Sequence, residues 1–353
     1  MRDSVPTSRP VIPAEAGIQE VGAGQHLLDP RLRGDDGNDP RLRGDDGNDP
    51  RLRGNDGAWR LSLRAVLAFL LALTTLYTPA TAAPAHVTDD RGARIAFDRP
   101  PQRIVTLLPS LTELVCALDA CARLVGVDTF SNWPASVATL PRVGGLDDAN
   151  IEAIVALRPD VVLAAQSTRA VPRLEALGLK VVALEPRSFA DLQRVLGVLA
   201  PVLGAREASA VWREIDQGVT AAARELPPAL RGTRVYFEVN SAPYAASESS
   251  FIGELLARLG VVNIVPGALG PFPKLNPEFV VRADPQVIMV SDRQATSLRT
   301  RPGWDRIRAV RDGRVCLFTP RQGDALVRPG PRMPEAAALM VRCLQGRLTS
   351  EGP

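Results

Sequence analysis

Histidine is almost missing from this chain: its 353 residues contain two, His26 and His86. A transition-metal site built on imidazole has nothing to work with, so no metal ligands are expected. Nor can a Ser-His or Cys-His nucleophile pair be assembled. The dinucleotide fingerprint G-x-G-x-x-G between a strand and a helix is missing, and R-V-G-G-L-D-D at 142–148 does not replace it. G-x-S-x-G is missing as well. These absences exclude catalysis, and no cofactor is expected.

Lysine is equally scarce. Only Lys180 and Lys274 are lysines among 42 basic residues, and the scattered arginines, with a net charge of +3, leave no nucleic-acid footprint. The four cysteines, Cys116, Cys121, Cys316 and Cys343, match no zinc spacing. An even count in an exported chain favours disulfides: Cys116 with Cys121 across a helix end, and Cys316 with Cys343 between a strand and the last helix. Buried free thiols are the alternative.

What is present is enough for two domains, with 45% hydrophobic and 23% charged residues. Residues 1–58 are not part of them. The unit D-P-R-L-R-G-D-D-G-N at 29–38 returns at 39–48 and, altered, at 49–58. It offers one large apolar side chain per repeat and cannot bury a core, so it reads as a disordered leader or as translated intergenic repeat with the start placed too far upstream. Residues 59–83 hold a basic W-R-L-S-L-R, a dozen apolar residues and an A-x-A-like site. That is a secretory signal peptide, cleaved after Ala82 or Ala83. The apolar run falls short of the ~20 residues of a membrane span. No cysteine near the site would take a lipid, so a soluble periplasmic protein is expected.

The chain is organised around N-I-E-A-I-V-A-L-R-P-D-V-V-L-A-A at 150–165, a capped helix stopped by Pro159 and followed by a buried strand. The unit recurs at 276–291 as N-P-E-F-V-V-R-A-D-P-Q-V-I-M-V-S. Two copies imply two similar α/β lobes, each with strands and helices alternating in a mostly parallel sheet. The lobes are expected over 101–204 and 233–345, with one long helix, 205–226, between them, ended by Pro227 and Pro228. Residues 86–102 read as a polar approach, and Ser110 or Thr112 as a helix cap. Glu152 and Glu278 stand in the first turn of the repeated helix. Each could merely complement its helix dipole, or the two could form a symmetric pair of acidic knobs.

R-I-V-T-L-L-P-S-L-T-E-L, L-V-G-V-D-T-F-S-N-W-P, the repeated unit, S-F-I-G-E-L-L and R-P-G-P-R together resemble the periplasmic substrate-binding proteins of ABC importers that bind vitamin B12 and iron siderophores. The resemblance covers about 101–345 and implies two Rossmann-like lobes bridged by one backbone helix, with ligand in the cleft. It implies a passive binding role for a monomer that docks through Glu152 and Glu278 onto a permease dimer with its ATPase subunits. From the vitamin B12 binders it carries ligand contacts to Phe130, Trp133, Leu146 and Ala165 in the first lobe. In the second lobe it carries them to Tyr244, Phe272 and the loop segment Asp324–Arg328. Leu146 and Ala165 stand where those relatives have large aromatics, which leaves the ligand open: cobalamin or another corrinoid first, a ferric siderophore or haem as the alternative. Haem would need an axial ligand, with Tyr244 the mature candidate. A siderophore would need convergent arginines, of which only Arg328 has a claim. Arg328 could otherwise cap the last helix.

Overall fold

The chain is built from strands whose alternate residues face different cores. The computed structural model describes residues 85–240, 244–290, 298 and 300–348. The leader and signal peptide read at 1–58 and 59–83 lie outside the described residues.

An antiparallel pair, β1 (Ala85–Thr88) and β2 (Arg94–Phe97), stands where the sequence suggests only a polar approach. The correction has a simple cause. The buried carboxylate of Asp89 accepts backbone N–H groups from Arg91, Ala93 and Ala183 and the Arg91 guanidinium, closing the turn and tying it to the sheet behind.

The first lobe follows as β3 (Ile104–Thr106), α1 (Pro109–Ala117), β4 (Leu124–Val127), α2 (Ile151–Ala156), β5 (Val161–Ala164), α3 (Val171–Ala176), β6 (Val181–Ala183) and α4 (Phe189–Leu203). Its four strands run parallel in the order β4-β3-β5-β6. After α5 (Ala208–Arg224), the second lobe runs β7 (Arg234–Asn240), β8 (Tyr244–Ala245), α6 (Phe251–Arg258), β9 (Val262–Asn263), α7 (Pro277–Ala283), β10 (Val287–Val290), α8 (Arg308–Arg311), β11 (Val315–Leu317), α9 (Pro320–Val327) and α10 (Met333–Leu344). Here β9, β7, β10 and β11 repeat the first lobe's parallel order, and β8 adds an antiparallel segment on β7.

The repeated unit is the same in three dimensions. Asn150 caps α2 by accepting the N–H of Ala153, and Asn276 caps α7 by accepting that of Glu278. Each helix is followed by a non-glycine residue at positive φ directly before the proline, Arg158 (φ 45) and Asp284 (φ 41). A left-handed residue ends a helix sharply, and the proline then feeds an extended strand.

Ile104, Leu163 and Val182 face one core, while Val105, Val162 and Val181 face another on the opposite side of the sheet. In the second lobe Val235, Phe237, Val287 and Met289 join that same first core, and Tyr236, Ile288 and Val290 turn to a separate one. This is the period-2 rule applied twice. One apolar core is therefore common to both sheets, filled from between by α4, α5 and α10.

The helix α5 is shorter than the expected 205–226 because Gly204, at φ 53, ends α4 and Glu207 only then opens the next helix. Its 17 residues span about 26 Å. Val211, Ile215, Val219 and Ala222 form its buried stripe. Each of the three large ones contributes roughly 1.5–3 kcal/mol by leaving water. The two disulfides are Cys116–Cys121 and Cys316–Cys343. The latter joins β11 to α10 across a separation of 27 residues, worth about 3–4 kcal/mol in the chain-entropy account.

Gly218 explains itself in this packing. A Cβ there would lie 2.7 Å from both Cβ and Cγ of Pro334, at the start of α10. Helix propensity alone would make Gly218→Ala stabilising by about 1 kcal/mol. The rigid proline ring should reverse the sign, lowering the melting temperature. Pro334→Gly in the same chain should recover part of that loss, giving a non-additive double-mutant cycle.

Candidate ligand-binding cleft

In a parallel sheet the loops beyond the strands' carboxyl ends converge on one edge, and a ligand site forms there. Here every strand of the first lobe delivers such a loop. Leu108–Ser110 follow β3, Phe130 follows β4, Ala165 and Ser167 follow β5, and Glu185–Arg187 follow β6. From the second lobe Phe251, Phe272, Asp324, Val327 and Arg328 face them across a cavity of ≈ 650 Å³. A second cavity of ≈ 770 Å³ adjoins it, sharing Phe130, Asp324, Val327 and Arg328 and adding polar Thr129, Asn132 and Arg321.

Of the residues singled out in the sequence, Phe130, Leu146, Ala165, Phe272, Asp324 and Arg328 meet on the first cavity. Phe130 is the most open, with 68% of its surface exposed, and Phe272 is braced edge-on against Phe251 at 6.0 Å. Trp133 and Tyr244 are not on the wall of either cavity. The Trp133 ring lies 5.4 Å from the Arg332 guanidinium, a cation–π contact that holds it beside the cleft. Tyr244 pairs with Asn240 in the β7–β8 ladder and is 41% exposed.

Three local expectations are corrected. Ser110 and Thr112 do not cap α1, because Pro109 starts the helix one residue earlier and Leu108 takes the cap position. Ser110 lines the cavity instead. The hydroxyl of Thr112 bridges Thr106 (2.6 Å) and Ser131 (2.7 Å). The segment around Asp324 is not a loop: Thr319 and Gln322 form a capping box that starts α9.

Arg328 neither caps the last helix nor offers a free guanidinium. It donates to Glu113 (3.3 Å), to the Asn132 carbonyl (2.8 Å) and to the backbone carbonyl of Phe130 (3.0 Å), and it pairs with Asp324 at 2.8 Å. Asn132 in turn donates to Asp324 at 2.7 Å. Arg332 grips Glu113 with two bonds of 3.0 and 2.7 Å. Glu113 on α1, Asn132 and Arg332 are the residues that sequence reasoning passed over. Their signal lay in motifs already noticed, the T-E of L-P-S-L-T-E-L and the second arginine of R-P-G-P-R, but neither motif says that the two meet 219 positions apart.

Behind Phe130, Asp128 is 1% exposed. Burial pushes its carboxyl up from the usual value, against the opposing pull of the Ser131 hydroxyl, the Phe130 N–H and the Arg328 charge. Glu152 and Glu278 stand apart from the cleft, exposed at the starts of α2 and α7. The Glu278 carboxylate has one distant partner, Arg282 at 3.9 Å, and both side chains are more than 70% exposed.

The periplasmic binding protein family matches residues 104–321. The chain belongs to it. An uncharacterized ABC transporter substrate-binding lipoprotein, YvrC of Bacillus subtilis, is 27% identical over 71% of this chain and 82% of its own. A vitamin B12-binding protein of Pectobacterium atrosepticum is 25% identical over 58% and 76%. Among solved structures, a periplasmic heme-binding protein, BhuT in complex with two hemes, superposes with a TM-score of 0.61 at 25% identity, covering 71% of this chain and all of that one. The two-lobed α/β architecture is thus that of the family. Periplasmic binding proteins of ABC import systems are exported chains that work with an inner-membrane permease and its ATPase. They bind and deliver; they do not catalyse.

The raised carboxyl of Asp128 gives a pH test. A native acid that holds its proton more tightly than the unfolded chain stabilises fully below the unfolded value, about 3.9, and loses that contribution as pH rises through its native value. Asp128→Asn fixes the neutral form and keeps an acceptor for Phe130. Its melting temperature should exceed that of the wild type at pH 7, and the gap should close as pH falls to about 4.

Proposed function

We propose that this chain captures a flat, electrically neutral ligand of the corrinoid class between its lobes and delivers it to a permease. The observation that carries the reading is the cavity wall. It is mostly apolar, with Phe130, Leu146, Phe251 and Phe272 around ≈ 650 Å³. Among the described residues it holds no histidine, tyrosine, methionine or cysteine. Haem is held through an axial side chain, whereas a corrinoid brings its own axial ligands and asks the protein for a slot and a few polar anchors. Charge points the same way. Arg187 is paired with Glu185 at 2.9 Å and Arg328 with Asp324 at 2.8 Å, so neither is free for the carboxylates or catecholates of an iron chelate. The relatives that bind vitamin B12 support this choice.

Haem is the second reading, favoured by the superposition on heme-binding proteins and by exposed Tyr244. Titration with cyanocobalamin separates the two. Saturable binding is expected, with a change in Trp133 fluorescence and at least tenfold weaker affinity in Phe130→Ala. Binding of haemin instead, abolished by Tyr244→Phe, would move the protein to iron acquisition.

For delivery, Glu152 and Glu278 are the docking pair, one on each lobe, meeting arginines of a permease dimer. Exposed charge pairs of this kind set orientation and association rate more than affinity. The chain acts as a monomer in the periplasm, exported by the signal read at 59–83. Glu152→Arg with Glu278→Arg should leave ligand affinity unchanged and abolish uptake. A fall in ligand affinity would instead place these residues in the fold or the site.

A further inference from the structure

We infer that Glu113 sets the charge selectivity of the cleft, cancelling the positive charge that Arg332 would otherwise leave behind the cavity wall and so excluding anionic ligands. The inference rests on the reading of the inter-lobe cavity as the ligand site, but not on which flat ring occupies it.

Arg328 and Arg332 are 8% and 4% exposed, and Glu113 is 1% exposed. Two guanidiniums so far from water must be compensated by charge, not by water alone. Among the described arginines Asp324 pairs with Arg328. Arg332 has a single carboxylate partner among the described residues, Glu113, which it holds with two bonds. The remaining charges on the cavity wall, Glu185 and Arg187, already form a pair. Glu185, Arg187, Asp324 and Arg328 on the wall and Glu113 with Arg332 behind it therefore balance among themselves, and loss of Glu113 leaves one positive charge over. Arg328 keeps Asp324 as its partner, so the uncompensated charge falls on Arg332, which stands behind the wall next to Arg328 and reaches the ligand through its field. A charge on a buried side chain beside a mostly apolar wall is screened less than one in open water and acts more strongly on an anion. Arg321 lines the adjoining cavity only and is exposed, so water screens its charge.

Glu113→Gln removes the charge while keeping shape and one acceptor oxygen. The probes are deuteroporphyrin IX, with two carboxylates, and its dimethyl ester, the same ring with none. The wild type should prefer the ester. In E113Q the diacid should gain about tenfold in affinity relative to the ester. E113Q with Arg332→Gln should return to the wild-type preference, because the balance is restored. If E113Q weakens both probes equally, or leaves their ratio unchanged, Glu113 only glues the lobes together and the inference fails.

A ligand-free measurement decides the matter even where neither porphyrin binds. In the chain without its signal peptide, with Trp212 replaced by Phe and Trp304 fully buried, Trp133 alone meets the quenchers, 5.4 Å from Arg332. Quenching by iodide relative to neutral acrylamide should rise in E113Q and fall back in the double variant. An unchanged quenching ratio overturns the inference. Failure of cyanocobalamin to bind, with these charge effects intact, would sink the corrinoid reading alone.

Discussion

Everything else in this molecule depends on one shared apolar core. Each sheet turns one face to its own lobe and the other to a common interior filled by α4, α5 and α10. Parting the lobes about that interior would expose Val219, Phe237, Met289 and their neighbours to water. Opening about α5 is therefore costly, unlike the bending of two extended strands.

The residues behind the lining obey a second constraint, which is charge balance among buried side chains. An ion pair buried at such a site adds little net stability, since desolvation offsets most of the Coulomb attraction. Its value lies in geometry. Arg328 ties the carbonyl of Phe130, the side chain of Asn132 and the carboxylates of Glu113 and Asp324 into one unit that crosses between lobes. Phe130, largely exposed, is held through its backbone and keeps its ring free for a ligand.

The lobes themselves are one design used twice. The same strand order, the same Asn cap, the same left-handed residue before proline and the same first-turn glutamate appear in both. That duplication is what places two similar acidic side chains, Glu152 and Glu278, on the surface.

The two lobes, the alternation of strand and helix, the helix between them and both cysteine pairings were legible in the sequence, because each follows from short-range pattern. Period-2 apolar runs make buried strands, Asn before a helix and proline after it mark the ends, and an even cysteine count in an exported chain implies bridges. Boundaries were less legible. Pro109 shifted α1 off Ser110 and Thr112, and the hairpin around Asp89 hid in polar residues that satisfy each other only once folded. Phe130, Leu146, Ala165 and Phe272, named from resemblance, line the first cavity, while Trp133 packs on Arg332 and Tyr244 sits in the β7–β8 ladder. What only tertiary structure decided is the fate of charge. Glu113 and Arg332 read as helix residues in isolation; 219 positions apart, they become a bidentate pair because two independently patterned lobes close on each other. No local rule of sequence encodes which distant partner a buried charge will find.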